Sequence, residues 1–256
     1  MSIGLTIYII IISFIFGTVF GSFMNCLAWR YVNHESVLKG RSHCAVCGHE
    51  LGAADLVPVF SFIFLKGRCR YCHEKISPRY VIVELITGFL FAVTAVRFGA
   101  GFDTVRYMAL ICVLVGLSLI DLDTYEIPNG FIIAAIVIWI ATVPVTSYPW
   151  KEELLYGAIG AFAIGGAMLL ISLLFDRMTG KESLGGGDIK LFFVAGLYLG
   201  LARGMLCIIV SCIVGLLFVA LLKKKRIPFG PSISIALMMC ILWGSYVVSW
   251  YMGLLQ

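Results

Sequence analysis

Charge is what this chain has least of. Lys, Arg, Asp and Glu make up 13% of its 256 residues, about half the share usual in a soluble domain. Hydrophobic residues make up 61%. A soluble fold could not cover that much apolar surface, so the bulk of the chain must face lipid or other spanning helices. Internal repeats and low-complexity tracts are absent. The N-terminus has no basic stretch ahead of its apolar run, and the run is long enough to span. It therefore reads as a retained helix and not as a cleaved signal peptide. Histidine is confined to one polar segment, 29–79, which holds His34, His43, His49 and His73. The net charge of +5 is organised by position along the chain, and no nucleic-acid partner is expected.

What is present is a series of apolar runs, and a spanning helix needs roughly 20 such residues. The fold class that follows is an all-α polytopic membrane protein with about eight transmembrane helices, at 4–28, 80–97, 107–125, 129–147, 153–175, 188–202, 204–222 and 231–254. The domain plan is a first transmembrane helix (1–28), a cytoplasmic zinc-binding insert (29–79) and a transmembrane core (80–256). Pro128, Pro149 and Pro228 fall at helix edges, where a missing N–H costs least. Gly17 and Gly21 form a small-xxx-small face on the first helix, read as a packing surface.

With an even number of spans both termini share a side. Fifteen of the nineteen Lys and Arg residues then collect on the side of the insert. These include Arg177, Lys181 and Lys190 and the run Lys223, Lys224, Lys225 and Arg226. Arg97, Arg106, Lys151 and Arg203 mark the other side. The positive-inside rule puts the insert in the cytoplasm and both termini outside.

The nine cysteines divide in two. Cys26, Cys112, Cys207, Cys212 and Cys240 stand singly in apolar runs, as small packing residues do. Cys44-Ala-Val-Cys47 and Cys69-Arg-Tyr-Cys72 are two CxxC knuckles, each able to put two thiolates on one metal. Cytoplasmic thiols are kept reduced, which disfavours disulfides. The expectation is a closed four-cysteine zinc site with a structural role, with His43 and His73 as neighbours of the ligands.

Ionisable residues at membrane depth are costly, so each is a functional candidate. Asp121 and Asp123 follow the apolar run 107–120. Asp188 closes the string Leu184-Gly-Gly-Gly-Asp188. Asp121 lies fifteen residues inward from Arg106, and Asp188 fifteen inward from Arg203. At 1.5 Å per residue both sit about 22 Å from the outer interface, inside the cytoplasmic boundary of a core about 30 Å thick. Two carboxylates held at one level share a proton, one serving as base and the other as acid, and so activate water for attack on a peptide carbonyl. Gly185, Gly186 and Gly187 let backbone approach a substrate closely.

These residues also carry a resemblance. The chain resembles the bacterial type IV prepilin peptidases, membrane aspartyl enzymes of the GxGD class. The matching stretches are Gly21-Ser-Phe-Met-Asn25 with Arg30, both knuckles, Lys66-Gly-Arg-Cys-Arg70, Ile76-Ser77, Arg79-Tyr80 and Val83-Glu-Leu-Ile-Thr-Gly88. Asp121 stands seven residues before Pro128, Gly185-Gly-Gly-Asp188 supplies the GxGD, and Ile227-Pro-Phe-Gly-Pro231 matches a late motif. Ala45 stands where proline is common, and Tyr31-Val32 replaces the usual residues after Arg30. The resemblance implies that Asp121 and Asp188 cut the short basic leader from prepilin or pseudopilin precursors after a glycine. The spacing to proline favours Asp121 over Asp123. It also implies N-methylation of the exposed residue, usually phenylalanine, with S-adenosylmethionine as donor and Gly67 as a candidate donor contact. The implied location is the cytoplasmic (inner) membrane of a bacterium, in contact with the lipid bilayer.

A basic leader should meet acidic groups on the cytoplasmic side. Glu35, Glu50, Asp55, Glu74, Glu84, Asp176 and Glu182 are available, and Glu84, nearest the membrane, is expected to contribute most to substrate binding. The competing reading is a proton-coupled transporter using the paired aspartates. It would call for an inverted repeat, which the sequence lacks.

Overall fold

The computed structural model describes residues 3–37, 39–146, 148–180, 184–222 and 227–254. Lys181, Glu182 and the run Lys223, Lys224, Lys225 and Arg226 lie outside the described residues. The described residues form helices with two isolated bridges and no strand. The chain divides into two compact units, 1–116 and 117–256.

In the first unit α1 (Ile3–Val32) packs on α3 (Arg79–Phe98). Small residues set the approach. A methyl group added at Gly17 would lie 2.7 Å from the Gly88 Cα, and one at Gly21 would lie 2.9 Å from the Glu84 Cα. The small-xxx-small face of α1 is thus a packing face, since any Cβ there would separate the helices. The insert between them carries a 3-10 turn (Ala53–Asp55), α2 (Phe60–Phe64) and the two knuckles. Arg30, near the end of α1, is buried and donates to the carbonyls of Ser36, Lys39 and Gly40 at 3.1–3.3 Å, folding the chain back under the helix. Helix α4 (Phe102–Thr124) begins in this unit and ends in the second.

The second unit holds the end of α4, then α5 (Asn129–Thr142), α6 (Trp150–Thr179), α7 (Gly186–Leu222) and α8 (Gly230–Leu254). Its core is built where α7 packs on α6 and α8, around the fully buried Leu191, Phe192, Ile233 and Leu237. The hydroxyl of Tyr198 on α7 donates to the Ala135 carbonyl of α5 at 2.8 Å.

Helix α7 is broken at Gly200, whose φ of 69° and ψ of −173° are non-helical. A methyl group at Gly204 would lie 3.9 Å from the Cα of Gly196. Residues eight apart along a straight helix are separated by about 12 Å. The chain therefore reverses at Gly200 and α7 is a helical hairpin with arms 186–199 and 201–222. The expected break around residue 203 falls at Gly200 because glycine takes the positive φ without a Cβ penalty. Arg203 instead donates its Nε to the Leu199 carbonyl freed by the break, at 3.0 Å.

Six described helices are long and apolar enough to cross a bilayer by length and composition. Counting α5 and the two arms of α7 separately, the structure has the eight spans expected.

Candidate functional site

Helix α4 stops one turn after Asp121. Tyr125 turns the backbone with a φ of 59° and returns its N–H to the Asp121 carbonyl at 2.9 Å, and Pro128 then starts α5. This leaves the Asp121 side chain at the end of a helix, 4% exposed. Its Oδ2 accepts the backbone N–H of Gly230, the first residue of α8, at 2.8 Å. A carboxylate at a helix N-terminus meets unpaired N–H groups and the positive end of the dipole. One turn earlier, Ser118 donates to Ser234 at 3.1 Å, a second tie between α4 and α8. Asp123, two residues on, is exposed.

Asp188 sits half-buried in the first turn of α7. It is near enough to Asp121 for the charge of one to act on the other. The residue between them is Ile127. A methyl at Gly187 would lie 2.9 Å from its Cβ, and one at Gly230 would lie 3.2 Å from its Cδ1 and 2.6 Å from Asp121 Oδ2. Of the glycine string, Gly187 is the one that close packing requires, whereas a methyl at Gly186 meets nothing within 4 Å. Lys190 donates to Asn129 Oδ1 at 2.8 Å, tying the start of α7 to the start of α5. The arrangement places both carboxyls at helix starts that pack against the same residue, Ile127.

In the insert, the sulfurs of Cys44, Cys47, Cys69 and Cys72 all lie within 4.8 Å of one another, with Cys44 and Cys72 at 3.9 Å. Four thiolates on one tetrahedral zinc at about 2.3 Å stand roughly 3.8 Å apart, so the cluster fits that metal. The two knuckles repeat one backbone design. His43 pairs with Glu50 and Arg68 with Lys75 as isolated bridges. The fifth residue of each has positive φ, 70° at Gly48 and 60° at His73. His49 stacks on Tyr71 at 3.6 Å between ring centres, joining the halves. The Cys47 N–H, then that of Val46, hold the Cys44 thiol down to about 7 against its burial. Cys72 receives the Glu74 N–H, but burial and the three neighbouring sulfurs push it up to about 12. Such a crowd ionises together only around a cation. Among the described residues the histidines are not part of the cluster. His43 lies 3.6 Å from Glu35 and edge-on to Trp29, and His73 is exposed.

Beneath the knuckles lies a cavity of about 340 Å³. One face of α1 lines it with Ser22, Asn25, Cys26 and Trp29, and Tyr80 and Glu84 line it from α3. Gly67, with a φ of 68°, makes the turn before the second knuckle. A methyl there would lie 3.0 Å from the ring of Phe62, a cavity wall.

Three of the acidic groups expected to meet a leader face basic side chains of the insert. Arg41 pairs with Glu50 at 3.2 Å and His43 stands against Glu35. Asp55, its side chain 5% exposed, binds Arg70 at 2.6 Å and also accepts from Gly52 and Tyr71. Glu84 is not on a solvated face. It is 7% exposed and accepts the Val59 N–H at 2.8 Å.

Sequence comparison identifies the same two parts. The Bacterial Peptidase A24 N-terminal domain matches residues 15–98, and the Type IV leader peptidase family matches residues 108–220. The chain belongs to the type IV leader peptidase family. Among its relatives, the Prepilin leader peptidase/N-methyltransferase of Aeromonas salmonicida (strain A449) is 35% identical over 231 residues, covering 83% of this chain and 75% of the relative. The protein of that name from Bacillus subtilis (strain 168) is 32% identical over 248 residues, covering 94% and 96%. That from Pseudomonas putida is 29% identical over 279 residues, covering 97% and 95%. No solved structure matches the chain.

Two partners in this leader peptidase chain were not legible beforehand. Gly230 belongs to a recognised motif, yet nothing in the string Ile227-Pro-Phe-Gly-Pro231 says that its N–H binds Asp121. Val59, a β-branched residue at φ 63°, presents its N–H to Glu84 from 25 residues away.

Proposed function

We propose that this chain is a membrane aspartyl prepilin peptidase and N-methyltransferase of the bacterial inner membrane, with Asp121 and Asp188 as the acid–base pair. Water held between the carboxyls loses a proton to the ionised one as it attacks the carbonyl of the leader's last residue. The protonated carboxyl supports the carbonyl oxygen, and the proton then passes to the departing amine. The observation that carries this reading is the buried Asp121 bonded to the α8 N-terminus with Asp188 in electrostatic range, in a chain of this family. The substrates are prepilin or pseudopilin precursors, cut at the cytoplasmic face, with both termini outside.

The insert 29–79 serves methylation, and the helices 80–256 carry the peptidase. Zinc on Cys44, Cys47, Cys69 and Cys72 cross-links the two knuckles and has no open position for substrate. S-adenosylmethionine supplies an electrophilic methyl group. The cavity under the knuckles suits a small molecule by volume, with Gly67 shaping it through Phe62. Glu84 on its floor binds substrate. Purified protein incubated with a prepilin and labelled S-adenosylmethionine should release the leader and place label on the new N-terminus. Absence of leader release would remove the peptidase assignment, and release without label would remove only the methyltransferase.

A further inference from the structure

Glu84 is a buried carboxylate in an unusual position. It lines the cavity of the first unit beside Ser22, is 7% exposed, and accepts a hydrogen bond from the Val59 N–H at 2.8 Å. Among the described residues no Lys, Arg or His lies within ion-pair distance of it. Of the basic groups lining the same space, His43 stands against Glu35, Lys75 makes no ion pair with Glu84, and the two guanidinium groups are engaged elsewhere. The Arg30 guanidinium is spent on three backbone carbonyls, and Arg70 is held by Asp55. A carboxylate taken out of water without a counter-charge is costly, and the fold keeps this one oriented through a strained backbone. Val59 adopts a φ of 63°, an outlier for a β-branched residue, to point its N–H at Glu84. A buried anion that faces a cavity, lacks a cation and is held by strain is arranged for a cation that arrives with a ligand.

Resting on the methyltransferase reading above, we propose that Glu84 docks the α-ammonium of the newly exposed N-terminal residue and takes its proton before methyl transfer. A lysine-rich leader needs several accessible carboxylates, whereas of the three that line this cavity Asp55 is held by Arg70, Glu74 stands in the second knuckle, and Glu84 alone is buried near Trp29, Phe62 and Leu65. Those walls suit a single ammonium attached to an apolar first residue. An α-ammonium keeps its proton at neutral pH and has no lone pair to offer until the proton leaves. The ammonium gives one proton to the Glu84 carboxylate. The amine lone pair then forms the N–C bond to the sulfonium methyl as the C–S bond breaks. The bonding pair stays on sulfur, leaving a neutral thioether and an N-methylammonium. Glu84 returns its proton to water when the product leaves.

The sulfonium is also a cation, and binding measurements separate the two. Full-length zinc-loaded protein in lipid nanodiscs is titrated with a mature pilin N-terminal peptide carrying a free or an acetylated amine. It is titrated separately with S-adenosylmethionine and with S-adenosylhomocysteine. The wild type should prefer the free amine by about ten- to a hundredfold, as a charge-assisted hydrogen bond implies. Glu84→Gln should lose that preference and leave the ratio of the two nucleoside affinities unchanged. Persistence of the amine preference in Glu84→Gln, or a shift of the nucleoside ratio in its place, overturns the proposal. Glu84→Asp, which keeps the charge but withdraws it, should lower kcat for methylation of the mature peptide with donor affinity unchanged. An unaltered kcat overturns the proposal even if the Gln variant does not assemble. If the wild type does not methylate the mature peptide, the methyltransferase reading falls and this inference with it. Wild-type methylation with no effect of either variant removes the inference alone.

Discussion

The Asp121 carboxylate and the Gly230 amide meet at 2.8 Å in a fully buried contact between the end of one helix and the start of another. It fixes the orientation of the Asp121 carboxyl at the N-terminus of α8. Asp188 has no such partner from another helix among the described residues, only its own helix start. The two carboxyls of the proposed pair are therefore held differently.

Asp121→Asn and Asp188→Asn should each lower leader release by about a hundredfold or more, the scale of a lost general acid or base. Asp123→Asn should cost far less, since that side chain is exposed. Cleavage of a purified prepilin by the three membrane-inserted variants checks this, and near-normal turnover in either of the first two would sink the assignment.

Gly230→Ala should reduce kcat for cleavage by about tenfold or more, because the new methyl would stand 2.6 Å from Asp121 Oδ2. Gly186→Ala meets nothing within 4 Å and should cost much less. Equal rates for the two variants would show that the Gly230 contact does not hold the carboxylate.

Removal of zinc should loosen the insert, because structural zinc supplies folding free energy. About one zinc per chain is expected by elemental analysis. Limited proteolysis after chelation, or in Cys69→Ser, should cut within 29–79 and leave the other helices intact. A metal-free protein with an undigested insert would count against the site.

The repeated knuckle gives a paired prediction. Gly48→Ala puts a Cβ at φ 70° with no packing clash, so its cost is backbone strain of about 1–2 kcal/mol. His73→Gly relieves the same strain at the equivalent position and should stabilise the insert by up to about 1 kcal/mol. Chelator resistance of the two variants should move in opposite directions.

Asp55 makes the insert acid-sensitive. Burial opposes its charge, but Arg70, then the Gly52 N–H and the Tyr71 hydroxyl, hold its carboxyl below the usual carboxylate range. A lowered folded pKa contributes stability that is complete above the unfolded value near 3.9. That stability is lost as pH falls through the lower folded value. Asp55→Asn should remove this part of the acid melting of the insert. An identical acid profile would show that the Arg70 contact is not formed in solution.

Much of this was legible in the sequence. Apolar runs revealed the spans because a bilayer imposes a length, and CxxC spacing revealed the four-cysteine cluster because thiols three residues apart in two such pairs can meet at one point. Gly17 and Gly21 were readable as packing because nothing larger fits between close helices. Tertiary partners were harder. Glu84 looked like the least screened surface acid, yet the knuckle insert closes over it. The reversal of α7 was placed near Arg203 by charge, whereas the backbone chooses Gly200 by its φ. Contacts such as Asp121 with Gly230 join residues 109 apart, a separation at which spacing carries no signal.

The hairpin at Gly200 also bears on how water reaches a hydrolytic site in a lipid phase. Its first arm has fourteen residues, as does α5 before its 3-10 extension to Val145, and the two are joined by Lys190 and Asn129 and again by Tyr198 and Ala135. Fourteen residues of helix reach about 21 Å, some 9 Å short of an average hydrocarbon core. Two short spans side by side create a local dent, because lipid thins to match a short hydrophobic length and polar flanks draw in the interface. The starts of both helices lie at the end of the hairpin arm opposite Gly200, where Asp188 stands. A bilayer thinned beside these two helices would bring its interface, and with it water, closer to the proposed pair.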